Sequence, residues 1–154
     1  MKSRKYVVAL GLEYEGTNYL GFQKQKSSKR TIQGLLEAGL KKVANQPIKT
    51  FCSGRTDSGV HALMQVIHFE TNSFRREDEW VRGVNSYLPH DIRLLWSKDV
   101  EEDFHARFAA TDRSYRFIIR NSDIPSALWS KRSLYIPKKL DHIAMRKASK
   151  YLLG

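Results

Sequence analysis

The opening third of the chain carries a strand pattern and then a helix pattern. β-Branched and aromatic residues from Tyr6 to Tyr14 predict a strand that ends in the turn-like Glu15–Asn18. After Thr31, apolar residues recur at the spacing of one helical face: Ile32, Leu35, Leu36, Leu40 and Val43. Thr31 can cap this helix, and Pro47 lies beyond its end.

Two further strands are predicted around a polar loop. Thr50–Ser53 is a short strand candidate, and a glycine-bounded loop runs from Gly54 to Gly59. Leu63–Glu70 then alternates with a period of two, which predicts a strand. Its two faces are Leu63, Gln65, Ile67 and Phe69 on one side, and Met64, Val66 and His68 on the other.

A second helix and a fourth strand complete the pattern. After the acidic Glu77–Glu79, apolar residues again recur at helical spacing, and this second helix is expected to end before Pro89. The apolar residues are Trp80, Val81, Val84, Tyr87 and Leu88. Ile92–Trp96 predicts a short strand, and Asp99–Asp103 is expected to be an exposed connection. The order of elements is typical of an α+β, ferredoxin-like (split βαβ) domain over residues 1–103, with a mostly antiparallel sheet and helices on one face.

Residues 104–154 contain fewer predicted elements. Ser114–Ile119 predicts a strand, and a helix is marked by Leu140, Ile143, Ala144, Ala148 and Tyr151. One strand and one helix cannot form a sheet of their own. This segment either packs on the first domain or begins a second, truncated α+β domain.

Composition bounds the class of protein. The chain has 154 residues, 41% of them hydrophobic and 28% charged, which suits a globular protein with a packed core. The apolar run near the start is too short to span a membrane, and we expect a cytoplasmic protein that does not bind membranes. Cys52 is the only cysteine, so an intramolecular disulfide cannot form.

Positive charge is concentrated at the two ends of the sequence. The net charge is +11 overall, with +7 in residues 1–60, −4 in 61–103 and +8 in 104–154. A basic surface attracts a phosphate backbone or an anionic membrane. Because no amphipathic basic helix with an aromatic face is present, nucleic acid is the favoured partner.

The densest group of chemically active side chains lies in the loop from Ser53 to Ala62. Taken alone, this could be an ordinary polar turn with glycines at its bends. In a functional interpretation, Asp57 is a positioned carboxylate and Arg55 is its charge partner. A neighbouring guanidinium favours the ionised acid, which suits a nucleophile better than a general acid.

Four blocks, in order, resemble the TruA family of tRNA pseudouridine synthases. The 54–62 loop, Gly-Arg-Thr-Asp-Ser-Gly-Val-His-Ala, resembles the family's signature loop. Residues 14–25, with their Gly-Phe-Gln-Lys-Gln ending, and residues 31–34 resemble the elements before it. Phe104–Phe108 followed by residues 113–117 resembles the family's active-site strand.

The resemblance implies an enzyme that isomerises uridine to pseudouridine in the anticodon stem-loop of tRNA. The bond from ribose C1′ to uracil N1 breaks and C1′ rejoins at C5, so neither a cofactor nor a metal is expected. The resemblance makes Asp57 the catalytic carboxylate, and Arg55 the residue that pairs with it and helps hold the nucleotide. Attack on the sugar, addition to the base and elimination through a glycal all remain open. Tyr115 corresponds to the tyrosine against the target base, although its pattern alone also suits a core aromatic of a strand.

The resemblance also suggests RNA contacts. A uridine in a stem must leave the stack before it can react, and the family segment associated with this step corresponds to Phe104, His105, Ala106, Arg107 and Phe108. Arg107 could intrude into the stack or contact phosphate, and the two phenylalanines are expected to anchor the segment in the core. Gln23 and Gln25 are candidate RNA contacts.

Family members form homodimers and continue into a second domain that supplies one wall of the catalytic cleft. The resemblance therefore leaves open whether residues 1–154 are active alone. Two alternatives are a non-catalytic RNA-binding module and a hydrolase in which His61 assists Asp57. The aromatic strand of an RRM domain is absent from the sequence, which weakens the first.

Overall fold

The computed structural model describes residues 4–25 and 30–153. They form two compact units that divide between Arg113 and Ser114, so residues 104–113 belong to the first unit. Among the described residues, the helices are all too short or too polar to cross a membrane.

The first unit has the predicted order of elements. Its strands and helices are β1 (Tyr6–Tyr14), α1 (Ile32–Ala44), β2 (Thr50–Cys52), β3 (Ala62–Thr71), α2 (Glu77–Asn85) and β4 (Ile92–Val100). The strands form one sheet in the order β2-β3-β1-β4, and every neighbouring pair is antiparallel. The α+β, ferredoxin-like prediction is confirmed.

Strand β4 is longer than its sequence pattern indicated. We expected it to end at Trp96, but it continues to Val100, which lies opposite Val7 of β1. Asp99 therefore lies within the strand, opposite Val8, and not in an exposed connection. Pairing with β1 holds Ser97, Lys98 and Asp99 in an extended conformation. The pattern of polar and apolar residues after Trp96 did not indicate this extension.

Both helices cover one face of the sheet. The Thr31 hydroxyl accepts a hydrogen bond from the Gly34 N–H at 3.3 Å, which confirms the predicted cap of α1. Trp80 of α2 meets the ring of Phe69 edge to face, with the ring centroids 5.1 Å apart. The largest fully buried side chains in this core include Leu10, Leu12, Phe22, Ile32, Leu36, Leu40, Ile67, Phe69, Trp80 and Ile92.

The second unit is built from short elements. It contains two three-residue parallel strands, β5 (Ile119–Asn121) and β6 (Leu134–Ile136), and the helix α3 (His142–Ser149). The strand predicted for Ser114–Ile119 is wrong except at its last residue, and β6 was not predicted because three residues are too few to show a period. None of the described side chains from 114 to 153 is fully buried, so this unit lacks a hydrophobic core.

Candidate active site

The loop between β2 and β3 is fixed at its start by a buried polar side chain. The Ser53 N–H donates to the Val66 carbonyl at 2.8 Å, which continues the antiparallel pairing of β2 and β3 by one residue. The Ser53 hydroxyl donates to the Gln65 amide oxygen at 2.6 Å, and the Gln65 amide nitrogen donates to the Gly54 carbonyl. Gln65 therefore holds both residues that lead into the loop.

The centre of the loop is held by the last residue of β1 and by the segment that follows it. The Phe22 N–H donates to the Thr56 carbonyl at 2.9 Å, and the Tyr14 hydroxyl lies 2.8 Å from the Thr56 hydroxyl. The Ser58 hydroxyl donates to the Tyr19 carbonyl at 3.0 Å. Asp57 thus lies between two residues, Thr56 and Ser58, that are both attached to the neighbouring segment.

Two glycines adopt positive φ here, and one of them permits the close approach. Gly21 has φ of 82°, and a Cβ there would lie 2.8 Å from the Thr56 carbonyl oxygen. Gly59 has φ of 79°, although a Cβ there would meet nothing within 4 Å. Only glycine adopts such φ values without steric cost, so both positions favour it.

The supporting segment is itself anchored at the edge of the core. The buried Tyr19 ring donates its hydroxyl hydrogen to Asp91, next to the start of β4. Burial, followed by the hydrogen bond to Asp91, raises the pKa of Tyr19 and keeps its hydroxyl protonated as a donor. The Gly16 N–H donates to Nδ1 of His61 at 3.0 Å. His61 is therefore engaged by the backbone of this segment, which weakens the hydrolase alternative.

Asp57 and Arg55 lie on the surface of this loop. Both residues are exposed, and in the described parts of the chain no direct ion pair joins them. The pairing of Arg55 with Asp57 that the functional interpretation and the family resemblance imply is not formed as a direct ion pair in this structure. A fixed backbone with an exposed carboxylate and guanidinium leaves both groups accessible to a ligand.

Residues 104–108 lie on the sheet face opposite the helices, against His68 of β3. The Ala106 N–H donates to Nδ1 of the buried His68 at 3.1 Å. The His68 ring stacks on Phe51 at 5.1 Å and meets the His105 ring at 4.6 Å between centroids. Burial, and then the nearby His105, lower the pKa of His68, so it remains a neutral acceptor.

The segment exposes its far end. Phe104 is partly buried, but Phe108 is 78% exposed, so the expectation that both phenylalanines anchor the segment in the core is wrong for Phe108. The Phe108 ring instead lies 4.3 Å from that of His105, and the exposed Arg107 guanidinium lies 5.9 Å from the Phe108 ring. Alternation could not indicate this, because the segment is not a strand.

Arg113 joins the two segments described above. Its Nε and Nη2 donate to the Ser53 carbonyl at 2.9 and 2.7 Å, and Nη2 also donates to the Arg107 carbonyl at 3.1 Å. One guanidinium thus donates hydrogen bonds both to the start of the loop and to residues 104–108.

The remaining candidates are exposed. Gln23 and Gln25 lie on the surface, and Gln25 donates to the Leu20 carbonyl at 3.2 Å. In the second unit Tyr115 is 72% exposed, which excludes the core interpretation of its ring in this structure. It precedes β5 and has no regular secondary structure.

Three residues that position the site were not singled out from the sequence. Gln65 holds the loop, His68 holds residues 104–108, and Arg113 contacts both of them. The available signal was a polar residue on each face of a strand that is otherwise rich in apolar residues. Arg113 begins the 113–117 block that resembles the family's active-site strand, but that block did not single it out among 27 basic residues.

Comparison with known proteins identifies the family. Residues 12–109 match the family model described as tRNA pseudouridine synthase, which covers the loop, its supporting segment and residues 104–108. The chain belongs to the tRNA pseudouridine synthase family. The family resemblance drawn from the sequence motifs is thereby confirmed.

Several bacterial members of this family are similar to the chain, and each is named tRNA pseudouridine synthase A. The Escherichia coli K12 protein is 48% identical over 149 residues, the Alcanivorax borkumensis protein 46% over 147 and the Salmonella typhimurium protein 47% over 152. These alignments cover 97%, 96% and 99% of this chain and 55%, 55% and 56% of the relatives. The chain spans about half the length of these relatives.

Proposed function

We propose that the chain provides the catalytic loop of a tRNA pseudouridine synthase, with Asp57 as its reacting carboxylate. The observation that carries this proposal is the exposed Asp57 side chain on a loop whose backbone is fixed at Ser53, Thr56 and Ser58. Membership of the family supplies the substrate class. A carboxylate held in this way can approach a nucleotide without first rearranging the protein.

The chemistry needs no co-reactant. The C1′–N1 bond of uridine breaks, a C1′–C5 bond forms, a proton leaves C5 and N1 gains a proton, so the product is an isomer of the substrate. An ionised carboxylate can stabilise or attack an electron-poor C1′, as in glycoside hydrolysis. The exposed Arg55 would hold a phosphate or sugar oxygen of the same nucleotide through charge-assisted hydrogen bonds.

The RNA-facing part of the proposal concerns residues 104–108, Gln23, Gln25 and Tyr115. The target uridine would lie in the anticodon stem-loop and leave the stack to reach Asp57. Exposed Arg107 and Phe108 suit this step, since a cation can contact phosphate and an aromatic ring can stack on a base. The exposed ring and hydroxyl of Tyr115 would stack on the uracil and assist proton removal from C5.

The same proposal includes the cellular location and the oligomeric state. The cytoplasm would be the site of action because tRNA is processed there, and the family resemblance favours a homodimer. Light scattering of the purified chain, with and without tRNA, would determine its oligomeric state.

A specific observation also favours the non-catalytic alternative. The second unit has no buried side chain among its described residues, and the relatives are nearly twice as long. On this alternative, residues 1–154 bind RNA and have no activity alone.

Tritium release from tRNA transcribed with 5-tritiated uridine tests the catalytic proposal. Asp57→Asn should abolish release and leave the Kd for tRNA within about twofold, because one neutralised carboxylate contributes little to phosphate binding. Asp99→Asn, at an exposed aspartate of β4, is the matched control and should retain release.

Release that persists in Asp57→Asn would exclude Asp57 as the reacting carboxylate. If the unsubstituted chain binds tRNA but releases no tritium, the RNA-binding alternative is correct for residues 1–154. Loss of tRNA binding in Asp57→Asn would instead assign the carboxylate to binding.

A further inference from the structure

Arg113 contacts the backbone of both segments proposed to act on RNA. It lies 60 positions after Ser53 in the sequence, yet two of its N–H groups share the Ser53 carbonyl. Nη2 also reaches the carbonyl of Arg107. The guanidinium thus joins the residue that begins the Asp57 loop to Arg107, near the end of the 104–108 segment.

Arginine is chemically suited to this arrangement. Its guanidinium is planar, carries its donors in a fixed fork and stays charged throughout the physiological pH range. Hydrogen bonds from a charged donor are stronger than those between neutral groups. A lysine ammonium retains the charge but cannot reproduce the fork, because its three hydrogens diverge from one nitrogen.

The loop is also attached to two other parts of the first unit. Thr56 and Ser58 are attached to the segment around Phe22 and Tyr19, and Gln65 attaches the loop to β3. Residues 104–108 contact β3 through His68, and the His105 ring lies 5.6 Å from that of Phe51 in β2. Gln65 and His68 attach the two segments to the same strand, β3, whereas Arg113 hydrogen-bonds directly to the backbone of both segments.

We propose that Arg113 is a positioning residue that keeps the Asp57 loop and residues 104–108 in a fixed relation. Its effect on turnover rests on the proposed function, whereas its structural effect does not. A displacement of about 1 Å between a reacting group and its substrate can cost on the order of 100-fold in rate. Removal of Arg113 should therefore lower kcat by about 10- to 100-fold, with little change in tRNA affinity.

Hydrogen–deuterium exchange followed by mass spectrometry tests the anchor independently of activity. Arg113→Ala should accelerate exchange in peptides covering 53–60 and 104–109 together, and leave those of β1 and α1 unchanged. Arg113→Lys should behave like Arg113→Ala, because charge without the fork does not bridge the two carbonyls. Arg82→Ala, which removes an exposed arginine of α2, is the control for loss of one charge and should change neither segment.

Steady-state tritium release and tRNA binding of the same variants give the second readout. A lowered kcat with unchanged Kd, in both Arg113→Ala and Arg113→Lys, supports positioning. A weakened Kd that Arg113→Lys restores, with exchange unchanged, would show that Arg113 contacts phosphate and would overturn the proposal.

Unchanged exchange in either segment of Arg113→Ala would also overturn it, whatever the activity. If the unsubstituted chain releases no tritium, only the proposed catalytic function is contradicted. The exchange comparison still decides the role of Arg113. Melting temperatures of all variants confirm that each is folded.

Discussion

At the scale of single residues, the 54–62 loop depends on close backbone approach and on a few polar side chains. Gly21 brings its segment against the Thr56 carbonyl, and Gln65 holds Ser53 and Gly54. These contacts leave the side chain of Asp57 exposed while its neighbours are fixed. A loop backbone fixed in this way has little conformational entropy left to lose when a ligand binds.

Comparison of Gly21→Ala with Gly59→Ala should separate backbone strain from steric clash. Both place alanine at positive φ, which costs about 1–2 kcal/mol of unfolding free energy. Only at Gly21 would the new Cβ also meet the Thr56 oxygen, at 2.8 Å, and overpacking adds about 1–3 kcal/mol. Urea unfolding followed by circular dichroism measures the difference.

Equal destabilisation by the two alanine variants would contradict the role of Gly21 in holding the loop close. Gly21→Ala should also accelerate tryptic cleavage after Arg55, since the loop must move away from Phe22. Gly59→Ala provides the control, because open space surrounds that position.

At the scale of secondary-structure elements, β3 supports the site from both of its faces. Gln65 holds the loop on the helix-facing side, and His68 receives the Ala106 N–H on the other side. The alternation of this strand was predicted correctly from the sequence. The contacts that Gln65 and His68 make were not predicted, because a period of two assigns residues to faces and does not identify what covers each face.

The titration of His68 predicts a pH dependence of stability. Burial and the neighbouring His105 lower the pKa of His68 from its ordinary value of 6.5, whereas Glu70 opposes this shift. Because the unfolded chain then binds the proton more readily, this contribution is fully present above pH 6.5 and is lost as pH falls towards the lowered pKa. Protonation at Nδ1 would also remove the acceptor of the Ala106 N–H.

Urea midpoints measured from pH 7.5 to pH 5 would detect this loss. His68→Asn keeps an acceptor at the δ position and cannot titrate, so its midpoint should decline less over this range than that of the unsubstituted chain. Parallel curves for the two proteins would assign the acid sensitivity to groups other than His68.

At the scale of the whole molecule, the uneven charge distribution favours a polyanionic partner. The net charge is +11, and the basic excess lies in residues 1–60 and 104–154. The 104–108 segment adds the exposed Arg107 to this distribution. Cations that replace condensed counterions on RNA make binding weaken as salt rises.

Arg107→Ala should weaken tRNA binding and reduce its salt dependence. Loss of one phosphate contact lowers the slope of log K against log salt by roughly one unit. Filter binding or fluorescence anisotropy between 50 and 300 mM salt, about the range in which such slopes are measured, provides the test. An unchanged slope, equal to that of Arg82→Ala, would place Arg107 outside the interface.

Local patterns in the sequence determined the order of elements, the Thr31 cap, the ferredoxin-like class and the loop that carries Asp57. Periodicity, capping and glycine placement act over a few neighbouring residues, so one sequence suffices to reveal them. The family followed from motifs that are also local and ordered along the chain.

The tertiary structure alone decided the contacts between distant positions. Strand pairing with β1 extends β4 to Val100, and packing covers His68 with Ala106 and leaves Phe108 exposed. Arg113 reaches Ser53 across 60 positions of sequence. Such contacts depend on how elements pair and fold over one another, and the residues that make them carry no periodic signal of their own.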